Sequence, residues 1–227
     1  MAHGSGTVWL TAKEDHVRCE LQLADLRDLS SAVARVRRLL DLDADPEAVM
    51  RVLGADPALG PLLTAVPGIR VPGAVEGGEL LLRAVLGRAA GPLAEAIGER
   101  LPAGEDGLTT LFPTAAQIVE DAKADSTVLE VAAALADGTV DIHVGRDPEE
   151  LRTELLALPG IEPRIADYVL MRVLGMPDVL LGDDPVLTEN ATALGITDLA
   201  GRAQDWRPWR SYAGMYLRRA GAGTKEQ

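Results

Sequence analysis

Four times along this 227-residue chain an aspartate is followed directly by a proline: Asp45-Pro46, Asp56-Pro57, Asp147-Pro148 and Asp184-Pro185. An aspartate carboxylate accepts from the unbonded N–H groups of a first helical turn. A proline at the first helical position loses nothing there, because its missing N–H has no intrahelical partner. Each pair therefore announces a helix, and from Asp28 onward the apolar spacing is helical almost throughout. Helices are expected from Asp28 or Ser30 to Leu42, from Pro46 to Leu53, and onward from Pro57. Further ones are expected over Glu79–Ala90, Pro92–Arg100, Thr114–Ala122, Thr127–Ala136, Asp147–Ala157, Pro163–Leu174, Pro185–Thr192 and Trp206–Arg219.

Only the beginning has another rhythm. Thr7 to Thr11 and His16 to Leu23 alternate on either side of the polar turn Ala12–Asp15, the pattern of a two-stranded hairpin. Two strands alone are marginal in water, so the hairpin must lean on helices or on another chain. The Gly/Pro-rich stretch Pro67–Gly78 is the expected boundary. It divides an N-terminal hairpin-plus-helices module, 1–68, from a helical body, 69–222, with a short tail at 223–227.

Composition narrows the function. Apolar residues make up 47% of the chain, yet only seven side chains are aromatic, so the core must be built from Ala, Leu and Val. The net charge is −13, of which −12 falls in residues 1–150 and −1 in residues 151–227. A whole-surface nucleic-acid clamp is thereby excluded, while a local basic face built on Arg207, Arg210, Arg218 and Arg219 remains open. Cys19 is the single cysteine, and His3, His16 and His143 are dispersed, so no metal-ligand spacing is readable and no metal or cofactor is expected. No apolar run is long enough to span a bilayer and the N-terminus lacks the marks of a signal peptide. The expected location is cytoplasmic, with no membrane partner.

The most informative segment runs from Asp147 to Asp184: a helix, the break Leu158-Pro159-Gly160-Ile161-Glu162-Pro163, a second helix through Tyr168, then Leu180-Leu181-Gly182-Asp183-Asp184-Pro185. It resembles the helix-hairpin-helix and downstream catalytic aspartate of the AlkA-type alkylpurine (3-methyladenine) DNA glycosylases. The stretches Arg35–Pro46, Arg70-Val71-Pro72-Gly73 and Trp206–Tyr212 look like further landmarks of that family in the same order, so the likeness covers Thr7 to Arg219. It implies a mainly α fold with a small N-terminal β hairpin, a helix-hairpin-helix glycosylase body and a truncated N-terminal sheet domain.

The resemblance also implies a chemistry. Such enzymes flip a damaged nucleotide out of duplex DNA and hydrolyse its N-glycosidic bond in base excision repair. A carboxylate stabilises the charge that develops on the sugar. By position that carboxylate is Asp184; read locally, it could equally be a plain helix cap ahead of Pro185. Tyr168, Arg164, Arg218 and Asp183 fall at the substrate pocket; Gly160, Ile161, Glu162, Arg88, Ala89 and Arg210 fall at the DNA surface. Arg164 stands where strand-cleaving relatives carry a Schiff-base lysine, and a guanidinium cannot act as that nucleophile, so the implied activity is monofunctional.

Several positions depart from the family pattern. Glu162 replaces the second glycine of Gly-x-Gly and sets a negative charge where a phosphate should approach. Arg164 and Arg218 replace aromatic rings that stack the flipped base. Ala89 replaces a bulky wedge residue, and together with Leu82, Val85 and Leu86 it reads as part of an ordinary buried stripe. The family's additional N-terminal strands are missing ahead of the hairpin, and its helical stretch between Phe112 and Leu135 is shortened. Duplex DNA binding is therefore expected to be weakened or lost, and the exposed sheet edge suggests a homodimer or a missing N-terminal partner domain. The competing expectation is a degenerate scaffold, repurposed for protein interaction or as a small-molecule-binding or biosynthetic protein.

Overall fold

The computed structural model describes residues 3–4, 6–101, 107–121 and 124–221; the expected tail at 223–227 and the last residue of the expected helix Thr114–Ala122 lie outside them. Strand β1 (Gly6–Ala12) pairs antiparallel with β2 (Val17–Leu23), with Val8 opposite Leu21 and Leu10 opposite Cys19. Because successive side chains alternate, one face of this hairpin carries Val8, Leu10, Ala12, Val17, Cys19, Leu21 and Leu23. The inner end of that face looks across a groove of about 460 Å³ toward Ala32, Val36 and Leu39 of helix α1 (Leu29–Leu39). Its outer end, with Leu10, Val17 and Cys19, is exposed.

Helices α2 (Pro46–Leu53), α3 (Gly60–Ala65), α4 (Gly77–Leu86), α5 (Ala90–Ile97), α6 (Ala115–Asp121), α7 (Ser126–Ala136), α8 (Pro148–Ala157), α9 (Pro163–Val173), α10 (Pro185–Ala193), α11 (Leu199–Arg202) and α12 (Arg210–Ala220) follow. Three of the four Asp-Pro pairs cap as expected: Asp45 accepts from the N–H groups of Glu47 and Ala48, Asp147 from Glu149 and Glu150, and Asp184 from Val186 and Leu187. The fourth does not open a helix directly. Asp56 accepts from Ala58 and Leu59, its carbonyl accepts from Gly60, and the chain makes a turn before α3 begins.

Other expected boundaries shift for identifiable reasons. The helix expected through Leu42 stops at Leu39, because Asp41 adopts a left-handed φ of 51° and the N–H of Leu42 returns to the Arg37 carbonyl, a Schellman-type end. Asp28 does not cap it with its side chain, being bonded instead to the backbone and ring of His3. The helix expected to reach Ala90 breaks at Gly87, with φ 54°, and a 3-10 turn Gly87–Ala89 separates α4 from α5. Ala89 is exposed on that turn, so it is not part of the buried stripe that Leu82 enters. Nor does the last helix start at Trp206: α12 begins at Arg210, since the residue before Pro208 is disfavoured in helical conformation.

Two hydrophobic clusters form the core. One gathers Leu81, Leu82, Ile118, Val131, Leu151, Leu155, Val169 and Leu170 from α4 and α6–α9. The other joins Val49, Leu53, Leu59 and Leu63 to Leu187, Trp206, Tyr212, Tyr216 and Leu217. This second core draws residues from both sides of residues 68 and 69, bringing α2 and α3 together with α10 and α12.

Two aspartates lock that arrangement. The Asp41 carboxylate accepts from the Val71 N–H at 3.0 Å and from the Tyr212 hydroxyl at 2.8 Å, while Arg70 donates to the carbonyls of Asp41 and Ala44. Gly73 donates to the end of α1 at such close approach that a side-chain carbon there would strike the Arg38 carbonyl. Burial, with Asp41 adding to it, pushes the Tyr212 hydroxyl well above its ordinary pKa, so it stays a donor. The buried Asp56 accepts from the Trp206 indole at 2.7 Å and pairs with Arg202 at 2.8 Å.

Burial alone would raise the pKa of Asp56, but the donors from Trp206, Leu59, Arg202 and Ala58 outweigh it and hold the carboxyl below its ordinary value. A group depressed on folding binds fewer protons in the folded state. Its stabilisation is therefore present above about pH 4, the ordinary aspartate value, and lost as pH falls through the folded value. Asp56→Asn should lower stability at neutral pH by roughly 1–3 kcal/mol. It should also flatten the acid-side dependence, measured by urea unfolding between pH 3 and pH 7; an unchanged acid limb would refute this role.

Candidate active site

The hairpin of helices α8 and α9 is built around a buried Ile161 and a turn that only glycine fits easily. Gly160 has φ 71°, and a Cβ there would collide with the methyl of Thr127 on α7. Arg152 on α8 and Asp167 on α9 close the pair at 2.7 Å. Glu162 lies at the N-cap of α9, exposed and making no side-chain cap, and Pro163 takes the first helical position. The turn thus presents a carboxylate to solvent beside a residue without an N–H. Arg164, in the first turn of α9, is also exposed.

Past α9 the chain runs through Leu180–Asp183 to Asp184, which is 5% exposed. One carboxylate oxygen, Oδ1, accepts from the N–H groups of Val186 at 2.9 Å and Leu187 at 3.2 Å, fixing the side chain on the axis of α10. The other oxygen, Oδ2, accepts from Arg218 Nη2 at 2.5 Å. Neighbouring Asp183 is exposed and stands apart from this pair.

Arg218 arrives there because α12 is pinned to α10. Asn190, buried on α10, donates to the carbonyls of Leu217 at 2.9 Å and Arg218 at 3.5 Å, and Gly221 leaves no room for a Cβ against the Asn190 amide. Nothing in local sequence marks Asn190 for this work; a polar residue on the apolar side of a short helix is the one available signal. Tyr168 is half-buried on α9, where its hydroxyl accepts from Arg172 Nη1 at 2.7 Å and the Arg172 guanidinium lies 5.3 Å from its ring. Arg172 also reaches the Gly73 carbonyl, joining the site to the loop beside Asp41.

The expected DNA-facing residues divide. Gly160, Glu162, Arg88 and Ala89 are exposed, on two separate turns, whereas Ile161 is buried. Arg210 is not free: its guanidinium pairs with Asp178 at 2.6 Å and donates to the Asp178 carbonyl, and Arg207 pairs with the same carboxylate at 3.1 Å. Asp205 lies 3.8 Å from Arg202 instead. Trp206 is fully buried and sits in the turn before α12. Among the described residues no group of His, Cys, Asp or Glu is placed to hold a metal ion, and no helix is long and apolar enough to cross a membrane.

The chain is similar to known proteins over most of its length. Residues 1–76 match the AlkA N-terminal domain. The chain is 40% identical to a probable bifunctional transcriptional activator/DNA repair enzyme AlkA of Mycobacterium tuberculosis, over 94% of this chain and 47% of that protein; it spans about half the length of that relative. It is 28% identical to DNA-3-methyladenine glycosylase 2 of Escherichia coli, over 83% of this chain and 71% of that protein. The solved 3-methyladenine DNA glycosylase of Archaeoglobus fulgidus superposes with a TM-score of 0.78 at 16% identity, covering 98% of this chain and 84% of that one, which identifies the fold.

The double use of Asp184 gives a stability test. Asp184→Ala removes the cap and leaves Arg218 unpaired, and should cost about 1–2 kcal/mol. Asp184→Asn retains the cap and should cost less than half of that. The Arg218 side chain is 42% exposed, so its ion pair is screened by solvent and Arg218→Leu should change stability by less than about 1 kcal/mol. Thermal unfolding of the three variants checks the order; equal losses for Ala and Asn would remove the capping role.

Proposed function

With an AlkA N-terminal domain carried on a helix-hairpin-helix glycosylase fold as its starting point, we propose that this chain is a monofunctional DNA N-glycosylase of the 3-methyladenine type, acting in base excision repair. The observation that carries the proposal is the buried Asp184 carboxylate, held at a helix start directly downstream of the helix-hairpin-helix.

In this reading the damaged nucleotide is flipped out of the duplex and its sugar comes to rest beside Asp184. The bond from C1′ to the base nitrogen breaks with its electron pair leaving on the base, and positive charge builds on the sugar ring. Asp184 stabilises that charge electrostatically, and its orientation costs nothing at that moment because two backbone N–H groups already fix it. Water then adds to C1′. Arg164, permanently protonated, supplies no amine nucleophile, so the strand is not cut. Tyr168, steadied by Arg172, is the ring available to the base.

A second reading is supported by specific contacts. Arg218 occupies Oδ2 of Asp184, Glu162 projects from the turn where a phosphate would dock, and Arg210 is engaged by Asp178. A scaffold that has left duplex DNA for a protein partner or another ligand would carry such features.

Release of free methylated purines from methylated duplex DNA, assayed with the wild-type chain and Asp184→Asn, separates the two. Under the glycosylase reading release is measurable and falls at least 100-fold in the variant; no release together with no salt-sensitive DNA binding would leave only the second reading. Glu162→Gly tests the turn independently. Removing one repulsion of about 1 kcal/mol should tighten duplex binding roughly fivefold at low salt. No change in that affinity would mean that the turn does not meet the backbone.

A further inference from the structure

We infer that Arg218 decides which base the site releases, favouring a neutral purine that departs as an anion over a cationic alkylated purine that departs neutral. The inference rests on the glycosylase reading and goes beyond it to the substrate class. It starts from the charge at the candidate centre. Asp184 and Arg218 together carry no net charge, and Oδ2, the carboxylate oxygen not used by the helix, is the one that Arg218 holds.

A cationic alkylated purine needs little help with its leaving group; it needs a negative site to hold the sugar cation. A guanidinium against Asp184 weakens that attraction and adds repulsion toward the incoming positive base. A neutral purine has the opposite need. When its bond to C1′ breaks, the electron pair stays on the base as an anion spread over its ring nitrogens and O6 carbonyl. That is a planar set of acceptors suited to a guanidinium, which offers five donors in one plane. Arg218 spends one of them on Asp184, and the others have no partner among the described residues. Water adds its oxygen to C1′ and its proton ends on the departing base, so the hydrolysis balances without any further reactant.

The position of Arg218 is built into the fold. Its backbone is held by the buried amide of Asn190, while 42% of its side chain is exposed to solvent. A lysine would keep the charge but lose the fork, and a leucine would lose both.

The test uses the full chain and two duplexes alike except for one purine: hypoxanthine, which is neutral, or 7-methylguanine, which is cationic; both carry an O6 carbonyl. Single-turnover release is measured for wild type, Arg218→Leu, Arg218→Lys and Asp184→Asn, with thermal unfolding showing that each is folded. In Arg218→Leu the ratio of hypoxanthine to 7-methylguanine release should fall at least tenfold, with 7-methylguanine release itself rising. Arg218→Lys should fall between. Asp184→Asn should lose both activities. A ratio unchanged in Arg218→Leu, whether both rates drop or both rise, would overturn the inference while leaving the glycosylase reading intact. Release of neither base by any of the proteins would overturn that reading and this one with it.

Discussion

A single carboxylate at the end of α1 ties together parts of the chain that are far apart in sequence. Asp41 takes a left-handed backbone to stop its helix, and its side chain then accepts from Val71 and from Tyr212. The Arg35–Pro46 stretch, the Arg70–Gly73 loop and the beginning of α12 therefore meet at one point. Once Tyr212 is fixed there, the face of α12 that meets α10 is fixed as well, and Arg218 follows less than two helical turns later. A buried hydrogen bond to a charged group contributes about 1.5–3 kcal/mol and specifies direction, which apolar contact alone does not. The candidate site thus depends on a contact with residues from a distant part of the chain.

Local chemistry was legible in the sequence and tertiary chemistry was not. The hairpin, the helix-hairpin-helix and three of the four Asp-Pro caps depend on neighbours a few residues away, and each is where the spacing put it. Asp56 caps a turn rather than a helix, and its second oxygen answers to Trp206 and Arg202, roughly 150 residues later, a pairing that local spacing does not announce. The helix through Gly87 failed because one glycine with positive φ overrides apolar periodicity. At the site, Asp184 could be read from Pro185 and its surroundings. Its pairing with Arg218 could not, because that depends on the rotation of α12, which is set by Asn190 and Asp41 rather than by any nearby residue.

The charge balance takes on a different meaning in three dimensions. The last third of the chain is nearly neutral by count, but its arginines are not an open basic face: Arg152 answers Asp167, Arg202 answers Asp56, Arg207 and Arg210 share Asp178, and Arg218 answers Asp184. Arg88, Arg164 and Arg219 are exposed and lie on three different elements. A polyanion approaching this surface gains little from clustering and must either break ion pairs or be recognised by shape. Salt dependence of any duplex binding should accordingly reflect few released counterions.

The cap made by Asp184 has an evolutionary consequence. A side chain that caps a packed helix is kept by selection for folding, whatever becomes of the chemistry beside it. Across descendants of such a scaffold, position 184 would keep a capping side chain, Asp or Asn, in active and inactive lineages alike. Arg218, which adds little to stability, is free to drift. The record of gained, altered or abandoned catalysis would therefore be written at the far end of α12, in a residue that folding scarcely notices.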